Sequence, residues 1–177
     1  MAGSMTGQDN LFLRDVAAMR SHAQAYLEPD AIASARPQAT IALLQAALTI
    51  EILCVWRYTM MSVSARGLRD QQVGFEFQEQ ANDERKHTRM VAERITELGG
   101  VPDFQPKGLE SRFGADYSGD FDRLVAQNLV AEQSVVEYYS DLIRYFGSSD
   151  PLTTAMLKTI LQDEEDHATD MQDLLAS

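Results

Sequence analysis

Two tetrapeptides, Glu84-Arg85-Lys86-His87 and Glu164-Glu165-Asp166-His167, constrain this chain more than any other feature. Each follows a lone glutamate, Glu51 or Glu132, at nearly the same distance: 84 − 51 = 33 and 164 − 132 = 32. The order is therefore Glu, Glu-x-x-His, Glu, Glu-x-x-His. Residues three apart on an α-helix share a face, so each Glu-x-x-His aims a carboxylate and an imidazole at one point. Four glutamates and two histidines in this arrangement are what two adjacent metal ions need in the core of a four-helix bundle.

The rest of the chain reads as all-α. Proline is confined to positions 29, 37, 102, 106 and 151, leaving long uninterrupted stretches between. Proline avoids helix interiors, where it removes a hydrogen bond and clashes with the preceding turn. The pattern predicts a short helix over 10–28 and four long ones over 38–65, 70–98, 118–146 and 150–175. Gly67, Gly99-Gly100 and Gly147 are their stop signals, and Asp150-Pro151 is an N-cap followed by a first-turn proline. Residues 1–37 form an N-terminal extension with the short helix; residues 38–177 form the bundle. No segment alternates as a strand does.

The connections set the topology. The first and second long helices are joined by a few residues, as are the third and fourth, so each pair is antiparallel. About 20 residues, rich in Gly and Pro, separate the second from the third. A helix of about 28 residues is roughly 42 Å long, and about 20 extended residues reach roughly 66 Å. The linker can run the full bundle length, which is a long crossover rather than simple up-down-up-down order. Each of the four glutamates lies near mid-helix, so helices packed side by side bring the carboxylates into one layer.

The glutamates interrupt apolar stripes. Glu51 sits among Leu44, Ala47, Leu48, Val55 and Tyr58; Glu132 among Leu129, Val135, Val136 and Tyr139; Glu84 and His87 among Phe77, Ala81 and Val91; Glu164 and His167 among Leu157, Ile160, Leu161, Ala168 and Met171. Buried unpaired carboxylates are very costly. Four glutamates and two divalent cations sum to zero charge, which removes the difficulty. Oxygen and imidazole donors suit iron or manganese, with zinc also possible. Glu84 and Glu164, each with its own histidine, would bridge the ions; Glu51 and Glu132 would be terminal. One Glu-x-x-His arises easily by chance on a solvated face, but two at matched depth with matched upstream glutamates do not. His22, the third histidine, reads as a surface or packing residue.

Tyr58 and Tyr139 each follow a lone glutamate by seven residues, about two helical turns. Their hydroxyls can hydrogen-bond a ligand or supply an electron. Tyr58 enters the candidate catalytic set with the six ligands, while Tyr139 reads more as core. Trp56 falls off the stripe.

Composition adds exclusions. A net charge of −12 disfavours a phosphate-binding surface, so nucleic acid is not an expected partner. The few basic residues before the bundle, Arg14, Arg20 and Arg36, argue against DNA coating. One cysteine, Cys54, precludes an intrachain disulfide and points to a reducing compartment. No stretch approaches the uninterrupted apolar length of a membrane span, and the first residues lack a signal-peptide pattern. The expected location is the cytoplasm.

Residues 38–175 resemble the ferritin-like superfamily, bacterioferritin most closely. Ile160-Leu-Gln-Asp-Glu-Glu-Asp-His167 resembles its last-helix metal motif, Asp83-Glu-Arg-Lys-His87 through Ala92-Glu-Arg-Ile95 its second-helix motif, and Glu51 with Tyr58 its first-helix ligand and nearby tyrosine. The resemblance implies a di-iron ferroxidase centre, oxidation of Fe(II) by oxygen or hydrogen peroxide, and a hollow homo-oligomer holding ferric mineral. Arg85 stands where bacterioferritin has its haem-ligating methionine, and Met90 lies on another face, so haem is not expected. The chain ends ten residues after His167 and adds an N-terminal helix. Both traits are more like Dps-like cages of twelve subunits than cages of twenty-four. The alternative is a non-storing di-metal peroxidase or catalase of rubrerythrin-like type. Against it, Cys54 alone cannot build a rubredoxin site, and Val135 replaces the additional glutamate of that family.

Overall fold

The computed structural model describes residues 11–24, 37–68, 71–105 and 121–176. The described residues form five helices: α1 (Leu11–Gln24), α2 (Pro37–Leu68), α3 (Gln71–Glu97), α4 (Phe121–Phe146) and α5 (Pro151–Ala176). Among the described residues there is no strand. α2 continues through Gly67, which lies inside its last turn instead of ending it. A glycine near a helix end costs only about 1 kcal/mol, and packing of α2 along α3 outweighs it. Gly99 does act as a stop. At φ +82° it takes the left-handed conformation, and the amides of Gly99 and Gly100 return to the carbonyls of Thr96 and Ile95. Part of the expected 118–146 helix, and the ends of 10–28, lie outside the described residues.

Contacts along the helices establish the topology. Tyr138 of α4 donates to the Leu43 carbonyl of α2, while Arg57 of α2 donates to Asn128 of α4, so these two helices are antiparallel. Arg94 of α3 reaches Asp150 and Thr153 at the start of α5, and His87 meets Asp163, so α3 and α5 are antiparallel as well. α3 therefore ends where α5 begins, and α4 begins at the opposite end of the bundle. Residues 98–120 join opposite ends, as the linker length allows. Gln45 anchors the start of this segment, donating to the Asp103 carbonyl (2.7 Å) and accepting from its amide (2.8 Å).

α2 is the central helix. Leu43, Leu44, Ala47, Leu48, Ile50, Leu53, Cys54 and Tyr58 are buried around much of its circumference. This corrects one expectation: Gln38–Ala65 is long and apolar enough, by length and composition, to cross a membrane. The apolar surface is instead used by neighbouring helices, and Glu51 sits in its middle at 0% exposure. α1 packs on α4 and α2, with Val16 buried and Arg20 paired with Glu137.

The N-cap of α5 is built as the sequence indicates. Asp150 accepts from the Thr153 amide (3.0 Å) and hydroxyl, and Arg94 donates to both its carboxylate oxygens. Burial raises the pKa of Asp150, but these hydrogen bonds outweigh it and hold the carboxyl below its ordinary value. Its contribution is thus present above the ordinary carboxyl range and is lost as pH falls through the lowered value. Asp150→Ala is expected to cost about 1 kcal/mol and lower Tm by about 2–4 °C at neutral pH. The deficit should shrink in acid; calorimetry of both proteins at pH 7 and pH 3 checks both parts.

Candidate metal centre

Glu51 comes from α2, Glu84 and His87 from α3, Glu132 from α4, and Glu164 and His167 from α5. All six expected residues meet in one interior layer, with exposures from 0 to 4%. Their donor atoms fall into two groups that could each hold an ion, Glu51-Glu84-His87-Glu164 and Glu84-Glu132-Glu164-His167. Within each group the donor atoms lie within 4.8 Å of one another. Glu84 and Glu164 belong to both, which is the geometry a bridging carboxylate requires. His87 Nδ1 is 3.2 Å from Glu84, 3.3 Å from Glu51 and 3.3 Å from Glu164. His167 Nδ1 is 3.5 Å from Glu84 and 3.7 Å from Glu164.

The local reason is helix periodicity. Each Glu-x-x-His places its two side chains one turn apart on the face that α3 and α5 turn toward one another. Neighbouring turns supply Phe77, Ala81 and Val91 on α3, and Leu157, Ile160 and Met171 on α5.

The electrostatics are those of a site short of cations. Burial, then repulsion from Glu84, pushes the Glu51 carboxyl well up, against the opposing influence of nearby His87. Burial and the charge of Glu164 push Glu132 up. Burial opposes the charge of Glu164, but the neighbouring His167 and His87 imidazoles prevail and hold it at about 2. Burial likewise opposes charge on His167, yet Glu164 and Glu84 raise it to about 12. His87 is raised in the same way by Glu164, Glu51 and Glu84. Protons thus stand in for positive charge among these carboxylates.

Hydrogen bonding does not satisfy the cluster. Glu51 Oε2, Glu84 Oε1, both oxygens of Glu132 and of Glu164, and His167 Nδ1 are sealed from solvent without a hydrogen-bond partner. Stranded acceptors in a dry interior cost of order 1–3 kcal/mol each, and they point inward together. A pair of oxygen- and nitrogen-ligated cations fits this donor set; soft thiophilic ions do not. Cys54 is buried beside the cluster, with burial and then Glu84 and Glu132 raising its thiol, so it is an inert core residue.

Both tyrosines lie at the cluster, with different contacts. Tyr139 donates to Glu51 Oε1. Tyr58 stacks on Phe77 with ring centroids 6.0 Å apart and meets His167 edge-on at 6.5 Å, while its buried hydroxyl has no partner. Seven-residue spacing turns both rings inward. Which carboxylate a hydroxyl meets depends on the antiparallel neighbour, and α4 sets Tyr139 against Glu51. Trp56 is half-exposed, in line with its place off the stripe. The side chain of His22 lies outside the described residues.

Two residues that spacing does not pick out also belong to the site. Asp163 of α5 lies 2.9 Å from His87 Nε2, and Asp83 of α3 lies 3.8 Å from His167 Nε2. Each aspartate directly precedes the glutamate of its motif, and that repeated Asp-Glu was the available signal. Asp163, within hydrogen-bond distance, fixes the tautomer and ring orientation of His87, whereas Asp83 lies beyond that distance from His167.

A long-crossover four-helix bundle with a buried carboxylate–histidine cluster defines a ferritin-like metal-binding protein. The family model for the ferritin-like domain matches residues 41–177, and the chain belongs to that family. Among solved structures, it is similar to a dodecameric thioferritin, the bacterioferritin-related protein of Bacteroides fragilis. The identity is 27% and the TM-score 0.71, over 90% of this chain and 93% of that one. It also shares its fold with the bacterioferritin of Desulfovibrio desulfuricans, whose structure records a diiron site. There the identity is 21% and the TM-score 0.70, over 89% of this chain and 82% of that one. No curated protein matches the chain in sequence.

Proposed function

We propose that this protein oxidises Fe(II) to Fe(III) with oxygen or hydrogen peroxide and keeps the product as mineral inside a hollow homo-oligomer. The observation that carries this is the pair of ligand groups overlapping at Glu84 and Glu164 in the dry centre of a ferritin-like bundle. Glu51 and His87 would hold one ion, Glu132 and His167 the other, and the two shared glutamates would bridge. Two bound ferrous ions supply two electrons, enough with two protons to reduce oxygen to peroxide, or peroxide to two waters. Iron is the proposed metal because of the family, although manganese and zinc accept the same donors.

The chain's own groups do the rest. The four carboxylates offset the charge of two divalent ions and hold them side by side. His87 and His167 must give up their protons to become ligands, so binding expels protons from the site. Tyr139 fixes one oxygen of Glu51 and leaves Oε2 to face the centre. Tyr58, packed against His167, is the proposed one-electron donor within the cluster. Helices α2 to α5 exclude bulk water from these groups.

The oligomer is proposed as a dodecamer, supported by the dodecameric state of the B. fragilis protein, in the cytoplasm. Arg85, at the position of the bacterioferritin haem ligand, is an exposed side chain bonded to Asn82 and Thr59. It offers no axial ligand.

Aerobic Fe(II) loading of the metal-free protein, with iron counted per chain in the soluble fraction, tests the reading. Tens of irons per chain are expected. A plateau at about two per chain would replace storage by a non-storing di-metal peroxidase or catalase.

A further inference from the structure

The seam between α3 and α5 holds a second set of oxygen donors that the six-residue centre does not use. The two helices run antiparallel in a fixed register: His87 meets Asp163, and Asp83 lies 3.8 Å from His167. One turn further, toward the start of α3 and the end of α5, the same register sets Gln80 level with Asp170. Glu76, four residues before Gln80, shares its face of α3. Its Oε1 accepts from Gln80 Nε2 at 3.4 Å.

Two independent features of this group point to a cation. Glu76 and Asp170 are like charges brought together across the seam. Burial, then the charge of Asp170, raises the Glu76 carboxyl above its ordinary range, and Glu79 adds to the effect. The second feature is Gln80. It is 1% exposed, yet its Oε1 is sealed from solvent without a hydrogen-bond partner, where nearly every buried amide oxygen finds a donor. Position 80 adjoins the buried Phe77, Ala81 and Glu84, where packing alone calls for an apolar residue. The Gln80 amide lies against Glu76, so its orphaned oxygen borders the carboxylate pair.

We infer that Glu76, Asp170 and the Gln80 amide oxygen bind a hard divalent cation of the Mg(II), Ca(II) or Mn(II) class, at a site that shares no residue with the two-ion centre. All three donors are oxygens, and carboxylates with an amide carbonyl are the usual protein ligands of such ions. No imidazole or thiolate enters the set. Glu76 and Asp170 are half-buried, so water completes the coordination shell. Two carboxylates at a partly open site place it at the weak, exchangeable end of the range, with Kd about 0.1–1 mM. The ion ties the first half of α3 to the last turns of α5, and it exchanges with solvent without opening the bundle.

Paramagnetic resonance of unbound Mn(II), in full-length protein whose interior centre is first filled with Zn(II), tests this. Zn(II) favours the nitrogen-bearing donor set and leaves the all-oxygen one to Mn(II). One Mn(II) per chain is expected. Glu76→Gln and Asp170→Asn should each weaken its binding about tenfold or more. Gln80→Leu keeps both carboxylates and should weaken it several-fold. Asp122→Asn, which alters an exposed acid at the start of α4, should change nothing. Circular dichroism verifies the fold of each variant. No Mn(II) uptake by the Zn(II)-filled parent would overturn the inference. So would equal losses from Glu76→Gln and Asp122→Asn, which would mean diffuse attraction to an acidic surface, or parent-like binding in Gln80→Leu. Failure of Zn(II) to load would instead count against the two-ion reading, and the Mn(II) difference between parent and Glu76→Gln would still decide this site.

Discussion

Under the proposed ferroxidase function, Glu84→Ala and Glu164→Ala are each expected to slow Fe(II) oxidation by at least about 100-fold, in protein that keeps its helical circular dichroism. The expectation follows from membership: these two glutamates belong to both ligand groups, so losing either damages both ion positions. Glu51 and Glu132 each serve one group, and their alanine variants should retain one-ion binding. Neither change threatens the bundle. The core of buried Leu, Ile, Val and aromatic residues above and below the layer is untouched, and each substitution removes a costly buried carboxylate. Stopped-flow oxidation at fixed iron per chain measures the effect. Parent-like kinetics in both variants would rule out the centre.

The second large effect is on stability. Two divalent ions at about 100 times their dissociation constants add about 2.7 kcal/mol each. For a chain of this size that raises Tm by about 10–20 °C. Glu132→Gln should act with opposite signs in the two states. Burial, reinforced by Glu164, disfavours charge on Glu132, so the neutral amide makes the metal-free protein more stable. The same change removes a ligand and most of the metal-linked rise. Proton linkage adds a pH test. The carboxylates hold His87 and His167 protonated despite burial, and both must be deprotonated to ligate. Apparent affinity therefore falls as pH falls, by about 100-fold per unit for the ion pair if two protons are released. Scanning calorimetry with and without Mn(II) at pH 6, 7 and 8 reads all three effects. A Tm unmoved by metal at every pH would remove the physical case for the cluster as a binding site.

These predictions rest on residues of two kinds. The six donors were legible in the chain because a helix has a fixed period: Glu-x-x-His must share a face, and a glutamate within an apolar stripe must point inward. The Asp150 cap, the Gly99 stop and the linker long enough to cross the bundle were legible for equally local reasons. Gly67 misled because glycine permits a helix end without requiring one. The apolar length of α2 also reads two ways, since burial against protein and burial in lipid call for the same side chains.

The chain by itself therefore determined an all-α bundle, the identity of its inward-facing acids and histidines, and their common height. Only the tertiary structure decided which hydroxyl meets which carboxylate. Tyr139 rather than Tyr58 supports a candidate ligand, and Asp163 rather than Asp83 closes on its histidine, because these contacts cross between helices. They depend on the relative rotation and offset of packed cylinders, set by the summed fit of many apolar side chains. Periodicity along one helix carries no record of that fit.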